Sequence, residues 1–366
     1  MLNSRSDHTE LPLKIRKLFI LTALLSLLPS CGGGGGGIEP ETPPSGGTNP
    51  WDANRGKVVT PSGDGWTSKT IDDGLVYYTF SGTDAVSGQR EEVFAVDLDL
   101  TNPQYLVKLL YTKPLVTVSE AFKQNANTVA AMNANYEVSS IFIRVDGVTR
   151  YQIPKTVING TTVPNWKSEA AFTSDGMRGL RIFFTGSPKR DGRLPDSKGK
   201  TYDEVVSLQR DYYASIAGLY PHLISSAPML IDDFEPVGET FCDYSLTDSQ
   251  VNVLSGEDPN RHQRVRHPRT AIALTENHHF IMLVVDGRTN YSAGMSAREL
   301  TRFLVKHFNP QYALNMDGGG SSTLCVRGEG DPDTHVVNYP CDNIPDKNSH
   351  DHSHERARDV HFVILK

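Results

Sequence analysis

The chain has 366 residues, of which 38% are hydrophobic and 22% charged, with 14 Tyr, 14 Phe and 3 Trp. That length and aromatic content give one large domain or two small ones with a sizeable core, and exclude both a disulfide-stapled miniprotein and a disordered chain. Lys and Arg number 36 against 43 Asp and Glu, a formal net charge of -7, so no nucleic-acid partner is expected and any anionic ligand must be held by locally placed cations.

At the N-terminus Lys14, Arg16 and Lys17 precede an apolar run from Leu18 to Leu28 that ends Leu28-Pro29-Ser30-Cys31. The run is shorter than the ~20 residues a bilayer-spanning helix needs, so residues 1–30 read as an export signal. Its ending resembles a lipoprotein box, which implies lipidation of Cys31 and an exported lipoprotein held at the membrane of a bacterial cell envelope. Residues 31–50 are Gly, Pro, Ser, Thr and Glu with almost no apolar side chain, and they read as a tether. Folding is expected over 51–366.

Alternating apolar and β-branched residues predict strands over Leu75–Phe80, Val93–Leu98 and Tyr105–Leu110, within an N-terminal strand region at 70–116. A motif-bearing core follows over 117–366. A short helix is expected over Thr117–Asn125, and 186–200, rich in Lys, Arg, Asp, Gly and Pro, reads as a surface insertion. Thr270–Thr275 and Phe280–Val285 flank the turn Glu276-Asn277-His278-His279 as a hairpin. Ser296-Ala297-Arg298-Glu299 has the capping-box pattern, and Leu300, Phe303, Leu304 and Phe308 fall on one face of the helix it would start. That helix should end before Pro310, with a strand over Tyr312–Met316. The fold class is α+β: mixed, largely antiparallel sheets with a few packed helices in a single compact domain. Cys242, Cys325 and Cys341 allow one disulfide, expected between Cys325 and Cys341, or three buried thiols.

Chemistry concentrates in Asn315-Met316-Asp317-Gly318-Gly319-Gly320-Ser321-Ser322. Three successive glycines let the backbone approach a ligand, their N–H groups can form an anion nest, and the two serine hydroxyls can add donors; phosphate or sulfate would fit. No Lys follows the glycines as a nucleotide loop requires, and Thr323 stands where a nucleophile elbow needs its last Gly. Asp286-Gly287-Arg288 and Arg269-Thr270-Ala271 bring an acid and two arginines to the same hairpin end, where the guanidinium groups can bind phosphate bidentately. Asn133 and Asn135 end another apolar strand, followed by Tyr136 and Glu137, a set of groups suited to a sugar ring. His350, His352 and His354 lie in a polar stretch and read as solvated loop rather than a metal site.

Taken in order, Arg269-Thr270-Ala271, Val285-Asp286-Gly287-Arg288, Gly294-Met295-Ser296, the Asn315–Ser322 motif and Val336-Val337-Asn338-Tyr339-Pro340 resemble phosphodiester glycosidase domains. The likeness runs from about Asn133 to the C-terminus. It departs from the family at Asn133-Ala134-Asn135-Tyr136-Glu137, where Asn-Gly-Gly-Phe-Phe is common. The resemblance implies hydrolysis of a sugar-1-phosphodiester, in a glycan or envelope polymer, at the anomeric C–O bond. Such a site needs carboxylates near the ring and cations at the phosphate. The assignment is then Asp317 and Asp286 as catalytic carboxylates. Arg269, Arg288, Gly318, Gly319, Gly320, Ser321 and Ser322 hold the phosphate, and Asn133, Asn315 and Asn338 orient hydroxyls. No cofactor is required for this chemistry; a structural divalent cation such as calcium is left open, as is any metal-ligating residue. The alternatives are an envelope polysaccharide-binding lipoprotein that does not cleave, and a metal-assisted phosphodiesterase that breaks the P–O bond.

Overall fold

Alternation of apolar residues builds most of this protein. The computed structural model describes residues 50–153, 156–158, 161–163, 166–185 and 201–366; the export signal, Cys31, all of the tether except Pro50, and the 186–200 insertion lie outside them. The chain opens with an antiparallel meander of β1 (Trp66–Asp72), β2 (Leu75–Thr83) and β3 (Arg90–Asp99). It continues through β4 (Leu106–Val116), α1 (Val118–Lys123) and β5 (Thr128–Asn133). Four short strands follow: β6 (Ile143–Val145), β7 (Val148–Tyr151), β8 (Thr156–Ile158) and β9 (Thr161–Val163). Next come β10 (Ala170–Ser174), β11 (Leu180–Phe184), α2 (Tyr202–Ala217), β12 (His222–Ser226) and β13 (Met229–Asp232). The short helices α3 (Asp248–Asn252) and α4 (Pro259–Arg264) lead into the hairpin β14 (Arg269–Leu274) and β15 (His279–Val285). The chain ends with α5 (Ala297–His307), β16 (Tyr312–Asn315), β17 (Leu324–Val326) and β18 (Arg358–Leu365).

The strands form a seven-stranded sheet of order β1-β2-β3-β15-β14-β16-β13, a five-stranded sheet β11-β10-β12-β6-β7, a four-stranded sheet β17-β5-β18-β4 and the pair β8-β9. Every pairing among the described strands is antiparallel, and with the few helices this is the expected α+β class. Residues 48–366 make one compact unit.

Period two divides the large sheet between two cores. Phe94, Val96, Leu98, Ile272, Phe280, Met282, Val284 and Leu314 face the main core, which they share with Leu109, Met132, Phe172 and Phe362 of the other two large sheets. The intervening Val93, Ala95, Ala271, Ala273, Ile281, Leu283 and Ala313 face α5, which presents Leu300, Phe303, Leu304 and Phe308. Each such fully buried large side chain contributes roughly 1.5–3 kcal/mol relative to exposure. The helix starts as its sequence dictates: the Ser296 side chain accepts from the Glu299 N–H while Glu299 reaches back to the Ser296 N–H. Thr117 and Glu120 repeat that box at α1.

The Cys325–Cys341 disulfide is not formed. All three thiols are free and buried. Cys325 points into the apolar cluster beneath α1 with Val118, Ala131 and Val363, where burial pushes its thiol well up.

Candidate functional site

Strands β14 and β16 are neighbours, with Ala271 opposite Asn315, and past Asn315 the chain leaves the sheet over the mouth of the hairpin. The Met316 N–H donates to Thr270 O at 2.8 Å and the Gly319 N–H to Pro268 O at 2.8 Å. A Cβ on Gly318 would lie 2.6 Å from Pro268 O, and one on Gly320 would lie 2.6 Å from Asp342 Oδ1. Gly319 has φ +64, in the left-handed region. Gly318 therefore answers to close backbone packing and Gly319 to its backbone conformation, while Gly320 lies against the Asp342 and Arg356 side chains. The expected anion nest is only partly available: the Gly319 N–H is used by Pro268, and those of Ser321 and Ser322 donate back to Gly318 O and Gly319 O at 3.3 and 3.2 Å.

The loop borders a cavity of about 340 Å³ lined by Tyr136, Glu137, Lys167, Gly256, Glu257, His262, His267, Arg269, Arg288, Asp317, the three glycines, Arg356 and Arg358. Asp317 is the carboxylate at its base. Its Oδ2 accepts from Arg358 Nε at 2.9 Å, and burial raises its pKa above the ordinary carboxylate range in spite of that guanidinium. The Ser321 hydroxyl lies close to Asp317 without reaching hydrogen-bond geometry, and its Oγ is buried.

Arg288, itself at φ +64, extends beside the loop, its Nη2 3.0 Å from where a Gly319 Cβ would stand. Its Nε and Nη2 approach His267 Nδ1 at 3.4 and 3.3 Å. Burial, with Arg269 and Arg288 nearby, pushes His267 down to about 3, so the imidazole is neutral and can accept. Among the described residues no carboxylate pairs with Arg288.

Several expected site residues stand behind the loop instead of in the cavity. Asp286 is 2% exposed and does not line it: Oδ1 accepts from Asn338 Nδ2 and Oδ2 from the Tyr339 N–H, both at 2.8 Å. Burial raises its pKa well above the usual value. Asn133 donates to Asp317 O at 2.7 Å and accepts from the Thr323 N–H at 3.1 Å. Asn315 donates to Tyr136 Oη at 2.7 Å, and Asn338 accepts from the Leu324 N–H at 2.8 Å. These three amides are fully buried and hold backbone in place; they present no donor to a sugar hydroxyl. Ser322 Oγ accepts from Thr270 Oγ1 at 3.2 Å on the same side.

Arg269 touches the cavity but acts as a post. Its Nε donates to Met295 O at 2.7 Å, Nη1 to Gln263 Oε1 at 2.8 Å and Nη2 to Val265 O at 2.8 Å, which pins the segments before and after the hairpin.

Sequence reasoning missed Lys167, Arg356 and Arg358; Glu137, singled out in the Asn133–Glu137 segment, does line the cavity with them. Lys167 Nζ donates to Glu257 Oε2 at 2.8 Å and lies 4.9 Å from the Tyr136 ring centroid. Arg356 is held by Asp342, and Arg358 Nη2 donates to Glu137 Oε1 at 3.1 Å. Arg356 and Arg358 stand just before and at the start of β18, immediately after the His-rich stretch; alternation along β18 is the signal that could have pointed one of them inward. The histidines themselves are not a free solvated loop. His350 stacks between Tyr339 and Tyr291 at centroid distances of 3.6 and 4.1 Å and bonds Glu92, while His352 stacks on Tyr339 at 4.7 Å. Among the described residues no group of three or more His, Cys, Asp or Glu is placed to hold a metal ion.

A cavity that sets a buried carboxylate among guanidinium groups, floored by a glycine turn at the mouth of a β-hairpin, agrees with the family expected from the motifs. The phosphodiester glycosidase profile matches residues 145–364, and the chain belongs to that family. An 87-residue stretch is 33% identical to the N-acetylglucosamine-1-phosphodiester alpha-N-acetylglucosaminidase of Bos taurus, covering 24% of this chain and 15% of that enzyme. Among solved structures, the chain is similar to the catalytic domain of the zebrafish N-acetylglucosamine-1-phosphodiester alpha-N-acetylglucosaminidase, auto-inhibited by its pro-peptide. That likeness has TM-score 0.45 and 18% identity over 85% of this chain and 87% of that one. A hypothetical protein from Synechocystis is similar at TM-score 0.44 and 12% identity, over 82% and 64% of the two chains. The departing corner Asn133–Glu137 falls outside the matched residues. No helix among the described residues is long and apolar enough to cross a membrane.

Proposed function

We propose that the protein hydrolyses a sugar-1-phosphodiester at the anomeric C–O bond, releasing a free sugar and a phosphomonoester. The observation that carries this reading is the placement of Asp317, Arg288, Arg356 and Arg358 around one cavity, with Asp317 paired to Arg358. Breaking the bond builds oxocarbenium character on the sugar and a second negative charge on the phosphate, and the cavity offers a carboxylate for the first and guanidinium groups for the second. Because phosphate leaves well, no strong general acid is called for. Arg269, Asp286, Asn133, Asn315 and Asn338 serve as positioning residues. The substrate is an N-acetylglucosamine-1-phosphodiester of a glycan or envelope polymer, a reading supported by the name of the bovine relative. Cys31 and the preceding signal support an exported, lipid-anchored protein acting at the cell envelope.

The test is incubation with N-acetylglucosamine-1-phospho-methyl ester, following free sugar and methyl phosphate by NMR. Release of both is expected. Methanol with sugar-1-phosphate would identify P–O cleavage instead, and binding without any release, across a panel of sugar phosphodiesters, would identify a polysaccharide-binding protein.

A further inference from the structure

With Asp286 behind the loop, the cavity lacks the partner carboxylate assigned to Asp317, yet it is lined by two other acids, Glu137 and Glu257. Glu257 takes the Lys167 ammonium at 2.8 Å. Glu137 stands differently: Arg358 spans it and Asp317, with Nη2 on Glu137 Oε1 at 3.1 Å and Nε on Asp317 Oδ2 at 2.9 Å. One guanidinium thus holds both carboxylates at the same cavity. Their surroundings also differ in the way the chemistry requires. Asp317 has 11% side-chain exposure and Glu137 62%, so one faces the interior and the other faces the water that must enter.

We propose that Glu137 is the general base of this hydrolysis, an inference that rests on the reading under Proposed function. In the hydrolytic step Glu137 takes a proton from water as its oxygen bonds to the anomeric carbon. The electron pair of the glycosyl C–O bond goes to the phosphate oxygen, which leaves as the phosphomonoester dianion, and Glu137 then returns the proton to solvent. Ionised Asp317 stabilises positive charge on the ring, and Arg358 keeps the two carboxylates apart in role and fixed in place.

The experiment compares the full chain with Glu137→Gln and Glu137→Ala on N-acetylglucosamine-1-phospho-methyl ester. General-base loss typically costs about 100- to 10,000-fold, so kcat should fall at least ~100-fold in both variants, with KM within ~3-fold and an unchanged melting temperature. Added formate should restore part of the rate of Glu137→Ala, which a residue that merely braces Arg358 would not allow. A kcat for Glu137→Gln within ~3-fold of wild type, or a stable Glu137→Ala that formate does not rescue, overturns the assignment. If the wild type releases no sugar, the hydrolase reading itself fails and this one falls with it.

Discussion

The two sides of the glycine turn are built from the same residue types and work in opposite ways. Behind it, Asp286 is satisfied by an amide and a backbone N–H; in front, Asp317 is satisfied by a guanidinium and opens onto a cavity. Burial raises both carboxyls. What separates scaffold from chemistry is therefore the partner and the access, and substitution of each side should separate activity from stability.

The largest effect is expected for Asp317→Asn, which removes the charge beside the ring while preserving shape; loss of preorganised charge stabilisation of this kind costs on the order of 1,000-fold in kcat. The wild-type pH profile sharpens the point. In the proposed reaction Asp317 acts ionised and its pKa is raised, so kcat/KM should fall as pH drops through a midpoint above the ordinary aspartate range, and the part of that limb due to Asp317 should be missing from the residual activity of Asp317→Asn.

Arg288→Ala comes next. Its guanidinium has a neutral histidine rather than a carboxylate as partner, so its charge is available to the phosphate. Removing a charge-assisted bond of about 1.5–3 kcal/mol should lower kcat/KM roughly 10- to 100-fold, with Arg288→Lys recovering only part of it because the bidentate fork is lost. By contrast Asp286→Ala should be read in the melting curve. It leaves Asn338 and the Tyr339 N–H without an acceptor, at a cost of about 1–3 kcal/mol, while kcat at a temperature where the variant is folded stays within several-fold of wild type. A kcat collapse in a folded Asp286→Ala would erase the distinction between the two faces.

This division also explains what was legible in the sequence. The hairpin, the capping boxes at Thr117 and Ser296 and the two-faced strands could be read because periodicity and caps are local. Within the glycine motif the residue types could be read, but their direction could not. Asn315 and Asp317 are two residues apart on an extended segment, yet Asn315 turns to Tyr136 and the Ala227 carbonyl while Asp317 meets Arg358. The cavity-facing cations Lys167, Arg356 and Arg358 come from two places far apart in the chain, Lys167 just before β10 and the two arginines just before and at the start of β18, with no shared motif. Three glycines suggested an anion nest; the structure uses them to let the turn lie against Pro268, Arg288 and Asp342, and commits the N–H groups of Gly319, Ser321 and Ser322 to the protein itself. The Asn-rich strand ends show the same lesson: Asn133 and Asn315 close two different sheets onto one turn, and a buried amide is more useful there as a three-way backbone clamp than as a ligand for sugar.

A third buried carboxylate belongs to the scaffold side and gives the smallest effect. Glu91, at the start of β3, accepts from the Gly294 N–H at 2.9 Å, Ser292 Oγ at 3.0 Å and Ser87 Oγ at 3.2 Å, and so holds the far end of the segment that carries Arg288. Burial outweighs those donors and raises it to about 7. A carboxyl whose folded-state value is raised favours the folded state when protonated; that contribution is complete below the unfolded value near 4.5 and is lost as pH rises through about 7. Glu91→Gln keeps one acceptor for Gly294 and Ser292 and gives Ser87 a donor, but cannot ionise. Its melting temperature should therefore change less than that of wild type between pH 4.5 and 7, by a few degrees, with the wild type declining more. Asp317 and Asp286 titrate in both proteins and cancel in the difference. Equal slopes would mean that the Ser292–Gly294 segment is held without any titration of Glu91.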